Sequence, residues 1–83
     1  MSLNLERAAM RGKLAEAQDN QRKLLLKAEG LCTSIRRGLN TALTPFNEME
    51  IPQVASQMDD LVMAWVELQK TQSDMNRLER ELR

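Results

Sequence analysis

Apolar residues recur at steps of three and four along two stretches of this chain. In the first, Leu24, Ala28, Leu31 and Ile35 are spaced four, three and four apart; in the second, Met58, Leu61, Trp65 and Leu68 are spaced three, four and three apart. A half-buried strand would alternate at every second residue, so this spacing predicts helices, and the two stripes read as the two sides of one seam. The first stripe runs from Leu3 through Arg7, Met10, Leu14, Ala17, Gln21, Leu24, Ala28, Leu31, Ile35 and Gly38 to Ala42 without a break in the alternation. That is the coiled-coil period. Arg7, Ala17 and Gln21 make its first half thin, whereas Leu25, Cys32 and Leu39 widen its second half enough to contact two helices at once. The second stripe reads Val54, Met58, Leu61, Trp65, Leu68, Met75, Leu78 and Leu82, widened near its start by Ala55 and Val62 and interrupted at Thr71 or Gln72.

The prolines punctuate this pattern. Pro45 pushes Thr44 out of the helical region, which predicts an end to the first helix near Leu43, and Pro52 suits the first turn of the next helix. The expected organisation is a single domain over 1–83: a helix from about 3 to 43, a proline-flanked loop at 44–52, and a helix from about 53 to 82. Phe46, Met49 and Ile51 are too apolar for an inert linker and are expected to plug the open end of the seam. Asn47 and Glu50 have capping-box spacing, which favours a short helical turn. Gly30, Ser34 and Gly38 fall four apart, so they form either a small-residue groove or a weak point in the helix. A continuous helix is the expectation.

Folding the chain at about residue 48 pairs positions whose numbers sum to about 96. Ile35 then faces Leu61, Leu31 faces Trp65, Ala28 faces Leu68, and Trp65 finds room near Ala28 and Cys32. Residues 3–12 project past the end of the second helix. The fold class is all-α, an antiparallel two-helix hairpin of coiled-coil type. A chain of 83 residues buries a modest fraction of its unfolded surface and needs a staple or a partner. With one cysteine and no histidine it has no internal disulfide and no common zinc constellation. A second copy covering Leu25, Leu39 and Val62 is therefore expected, giving a four-helix bundle. The predicted core and dimer interface comprises Leu24, Leu25, Ala28, Leu31, Cys32, Ile35, Leu39, Met58, Leu61, Val62, Trp65 and Leu68.

Charge refines this picture. Twelve basic and twelve acidic residues cancel, which disfavours a general affinity for nucleic acid. Residues 1–43 hold eight Lys or Arg against four Asp or Glu, and residues 44–83 hold four against eight. Antiparallel helices of opposite charge gain mainly in register, because exposed ion pairs are worth about 0–1 kcal/mol each. Arg77 with Glu81 and Glu79 with Arg83 are expected as helix-surface pairs. Arg22, Lys23, Lys27, Arg36 and Arg37 form a candidate basic face on the first helix. Glu29 interrupts it and no aromatic interleaves with it, so a solvated surface is the plainer reading. The longest apolar run, residues 24–26, is far too short to span a membrane, and the start lacks the order of a signal peptide. A cytoplasmic protein is the expectation.

Catalysis has little support. Cys32 has no histidine to act as its base and lies among apolar neighbours, so a packing role accounts for it. Asp59 and Asp60 are adjacent, hence about 100° apart on a helix, and cannot share a proton or a metal. No catalytic, cofactor or metal residue is assigned, and an enzyme is the least favoured reading.

The run Leu31-Cys32-Thr33-Ser34-Ile35-Arg36-Arg37-Gly38-Leu39-Asn40, the Pro45 loop, the run Ile51-Pro52-Gln53-Val54-Ala55 and the charged ending Leu78-Glu79-Arg80-Glu81-Leu82 resemble small helical proteins of Mu-like phages and prophages. The resemblance implies a phage-borne, cytoplasmic, non-enzymatic protein and supplies no functional residues. The expected function is a non-enzymatic protein-protein interaction module that binds itself, as a homodimer, and a partner protein, for which a host protein is the candidate. The alternatives are a nucleic-acid accessory protein using the basic face and a secretion-type co-chaperone.

Overall fold

The structure, a computed structural model, describes residues 2–83, with side chains from residue 4 onward. Two helices, α1 (Ser2–Gly38) and α2 (Ile51–Leu82), pack against each other as an antiparallel hairpin, with a single 3-10 turn at Phe46–Glu48 between them. The hairpin is a rod with extents of 66 × 15 × 15 Å. The side chain of Leu3, the first position of the expected seam, lies outside the described residues.

α1 runs unbroken through Gly12 and Gly30, as the sequence leads one to expect. It ends at Gly38, five residues before the expected stop at Leu43. Pro45 sets only the last residue at which a helix could end; Asn40 ends it sooner. Its side-chain oxygen accepts the Ala42 N–H at 2.9 Å, and its carbonyl accepts the N–H groups of Leu43 and Thr44. Asparagine offers the backbone this local alternative to the helical ladder. Gly38 is also where the helices converge, since a Cβ there would lie 2.8 Å from Cγ2 of Val54. Gly12 and Gly30 face open space. The close approach therefore belongs to Gly38 alone and does not extend into a three-residue groove.

α2 starts at Ile51, two residues before the expected Gln53, with Pro52 in its first turn. The short turn expected there forms, but Asn47 lies inside it rather than at its N-cap, and Glu50, which precedes α2, makes no side-chain cap hydrogen bond, so the anticipated Asn47–Glu50 capping box is not used. Of the expected plug, Met49 and Ile51 are half-buried over the end of the seam, whereas Phe46 is 71% exposed. The 3-10 turn carries Phe46 away from the helices.

The register differs by about one helical turn from the expectation. Asn20 Nδ2 donates to Thr71 Oγ1 at 3.2 Å, and Gln21 Nε2 donates to Gln72 Oε1 at 2.7 Å. Paired positions thus sum to about 92 rather than 96, because α1 stops early and α2 starts early. Arg7 Nη2 reaches the Leu82 carbonyl at 2.8 Å, so the projecting segment is shorter than expected and begins before Arg7. From Arg7 to Gly38 the α1 side of the seam follows the expected positions, with Leu24 and Ile35 buried and Arg7, Met10, Leu14, Ala17, Gln21, Ala28, Leu31 and Gly38 half-buried. Ala42, expected as its last position, is exposed in the turn because α1 has already ended.

On α2 the seam differs. It passes through Val54, Gln57, Leu61, Ala64, Leu68, Thr71, Met75 and Leu78, all buried or half-buried. Ala64 is 5% exposed, whereas Trp65 is 61% and Met58 43% exposed. Trp65 is therefore not the anchor of the hairpin, and Met58 is not in its core. The register sets Ala64 level with Ala28, and two small residues facing each other let the helices approach closely. A tryptophan there would force them apart.

Candidate interaction surface

The side chains excluded from the seam are not scattered. On α2, Ala55, Met58, Val62 and Trp65 are spaced three, four and three, a second heptad track displaced by one residue from Val54, Gln57, Leu61 and Ala64. On α1, Leu25, Cys32 and Leu39 recur at steps of seven beside the seam. At 100° per residue each track lies clockwise of its own seam when its helix is viewed from the N-terminus. Because the helices are antiparallel, the same rotation on each brings both tracks to one side of the hairpin. That side is apolar over the half nearest the loop.

Exposure matches this placement. Leu25, Leu39, Met58, Val62 and Trp65 are all exposed, Cys32 is half-buried, and Leu61, Val62 and Trp65 line a shallow groove of about 220 Å³. Further from the loop the tracks turn polar. On α2 the positions after Trp65 are Gln69, Gln72 and Asn76, and on α1 the positions one and two heptads before Leu25 are Gln18 and Arg11. Gln72 Nε2 donates to Asn76 Oδ1 at 3.1 Å while its oxygen accepts from Gln21. Gln72 thus links the two helices and its own next turn through its amide.

The opposite side carries a different surface. Ser34, Arg37 and Gly38 of α1 border an open groove of about 190 Å³ with Glu50, Gln53, Val54 and Gln57. Five of these seven residues have polar side chains. Leu26 on α1, and Met63 with Val66 one turn on along α2, are exposed and point away from both sides; small exposed apolar groups of this kind are normal on protein surfaces.

The five candidate basic residues do not form one stripe. On the 100° wheel Arg22 and Arg36 lie on the edge next to the apolar side, whereas Lys23, Lys27 and Arg37 lie toward the other. Arg22 and Lys23 both pair with Asp19, at 3.6 and 3.1 Å. Arg36 and Arg37 occupy the last turn of α1, where cations favour the carboxyl end of the helix dipole. Among the described residues the expected pairs Arg77 with Glu81 and Glu79 with Arg83 do not form.

The predicted interface residues therefore divide in two. Leu24, Ala28, Leu31, Ile35, Leu61 and Leu68 serve the seam, while Leu25, Leu39, Met58, Val62 and Trp65 lie on the apolar side with Cys32 at the border. Sequence reasoning missed Gln57 and Ala64 as seam positions. The signal was present in the one-residue offset of the α2 tracks, but side-chain size favours Trp65 over Ala64 on any count of apolar bulk. Among the described residues no group of three or more His, Cys, Asp or Glu is placed to hold a metal ion, and no helix is long and apolar enough to cross a membrane. No protein-family model, curated protein or solved structure matches the chain.

Proposed function

We propose that this chain is a non-enzymatic protein-protein interaction module that self-associates through the apolar side of its hairpin and binds a further protein. The observation that carries the reading is the confinement of Leu25, Leu39, Met58, Val62 and Trp65 to one side of a two-helix rod. A hairpin has two faces per helix to satisfy and one partner helix to satisfy them with. Two such hairpins laid together bury the second track of each helix and make a four-helix bundle.

Sedimentation equilibrium combined with Trp65 emission tests this. Trp65 is the sole tryptophan, so its emission reports the apolar side alone. The module predicts a dimer at micromolar concentration and a shift of the emission to longer wavelength on dilution. A folded monomer whose emission stays that of exposed indole at every concentration defeats it. The proposal includes a phage-borne, cytoplasmic setting, which rests on the resemblance of residues 31–40 and 51–55 to Mu-like phage proteins; the genes flanking its own are the test of that part.

A further inference from the structure

Building on self-association, we infer that the two copies pack antiparallel and overlap only by their loop-proximal halves, leaving two polar hairpin arms pointing in opposite directions. The inference starts from where the tracks are centred. Leu25, Cys32 and Leu39 are centred on Cys32; Ala55, Met58, Val62 and Trp65 are centred on residue 60, which the register places level with residue 32. Both tracks therefore share one midpoint along the rod. A two-fold axis crossing the rod at that level superposes the whole apolar side of one copy on that of the other.

The side chains that meet are complementary. On α2 the axis sets Trp65 of one copy opposite Ala55 of the other, and Met58 opposite Val62. On α1 it sets Leu25 opposite Leu39 and Cys32 opposite its own copy. Trp65 against Ala55 sets large against small, which a well-filled bundle core requires, and the remaining pairs set apolar side chains of similar size against each other. At the rim, Glu29 comes level with Arg36 of the second copy, and neither is in an ion pair among the described residues. The symmetry repeats that pair, so a chain of zero net charge gains two complementary contacts and no net repulsion.

The exposed area is sufficient. From their fractional exposures, Leu25, Leu39, Met58, Val62, Trp65 and their immediate neighbours offer about 600 Å² per copy, or about 1,200 Å² in all, the lower end of what stable interfaces bury. The other two-fold arrangement has its axis along the rod. It stacks α1 of one copy on α2 of the other, sets Glu29 over Met63, and lays Gln18 and Arg11 against the polar end of α2. It buries Gln72 and Asn76, already hydrogen-bonded to each other, together with Gln18 and Gln69, and adds no apolar contact beyond the loop half.

Disulfide trapping with diamide, which takes up the two electrons and two protons released by a thiol pair, separates these arrangements. In the antiparallel dimer the α1 helices are neighbours, so wild-type Cys32 cross-links to Cys32 of the second copy. Likewise, Cys32→Ser/Leu25→Cys mixed with Cys32→Ser/Leu39→Cys gives a mixed dimer, while Leu25→Cys alone gives none. Glu29→Arg and Arg36→Glu each weaken dimerisation by about two- to fivefold, and the double reversal restores it. Leu25→Cys cross-linking to Trp65→Cys in a sedimenting dimer overturns the antiparallel arrangement and leaves self-association standing. A monomer at all concentrations overturns both.

Discussion

The three glycines show how one residue type has opposite consequences at different positions along one helix. Gly30 faces open space, so Gly30→Ala is expected to raise stability by about 1 kcal/mol through helix propensity, a rise of about 4–8 °C in Tm by circular dichroism. Gly38 is the last residue of α1, so Gly38→Ala gains less propensity than Gly30→Ala and drives its Cβ to 2.8 Å from a β-branched side chain that has little rotamer freedom. It is expected to lower stability by about 1–2 kcal/mol. Coupling in a double-mutant cycle with Val54→Ala, read by urea denaturation, checks that Val54 is the cause. Trp65 carries the other lesson at this scale. Its spacing placed it correctly on an apolar face of a helix, but the sequence could not say which of two adjacent faces looks toward α1. That is decided by Ala28 and Ala64, whose small size sets how closely the helix axes pass.

At the scale of the helices, polar contacts set the register and close the far end. Thr71 is buried and accepts from Asn20, with Gln21 and Gln72 hydrogen-bonded beside it. Thr71 is buried but Asn20 is exposed, so replacing both by apolar groups, Asn20→Leu with Thr71→Val, is expected to change Tm by no more than a few degrees while loosening register. Broader amide resonances near residues 20 and 71 would report that loosening, and a larger fall in Tm would show that the pair is essential to stability. Arg7 donates to the carbonyl of Leu82, one of the acceptors left open at a helix end, and brings a cation to the negative end of the dipole. Arg7→Ala is expected to cost about 1 kcal/mol and to speed hydrogen exchange in the last turn of α2. Helix existence was legible from periodicity and the loop from its two prolines. The end of α1 was not, because the Asn40 turn competes with the helix over five residues that have no unfavourable helical pattern of their own.

For the whole molecule, the consequence is an asymmetric rod, with two apolar tracks brought together on one side near the loop and exposed apolar residues elsewhere, such as Leu5 and Leu26, outside those tracks. Val62→Glu is expected to leave helicity of the hairpin intact and to weaken self-association about a hundredfold, since it buries a carboxylate at the centre of the dimer without a partner. Sedimentation with parallel circular dichroism checks both halves of that statement. Equal loss of helix and dimer would instead mean that the hairpin cannot stand alone. The four-helix bundle expected from the sequence follows the same logic as the proposal, since Leu25, Leu39 and Val62 remain exposed in a single chain.

The sequence by itself determined two helices, their antiparallel pairing, the seam positions of α1 and the presence of surplus apolar residues beside them. Each depends on periodicity, which is local and additive along the chain. Only the tertiary structure decided the register, the identity of the α2 seam and the side to which the surplus residues turn. Those depend on the separation and rotation of two helices, set jointly by Gly38 against Val54, Ala28 level with Ala64, and Asn20 with Thr71. No single stretch of sequence contains such a pairing, because its energy exists only once both helices are in place.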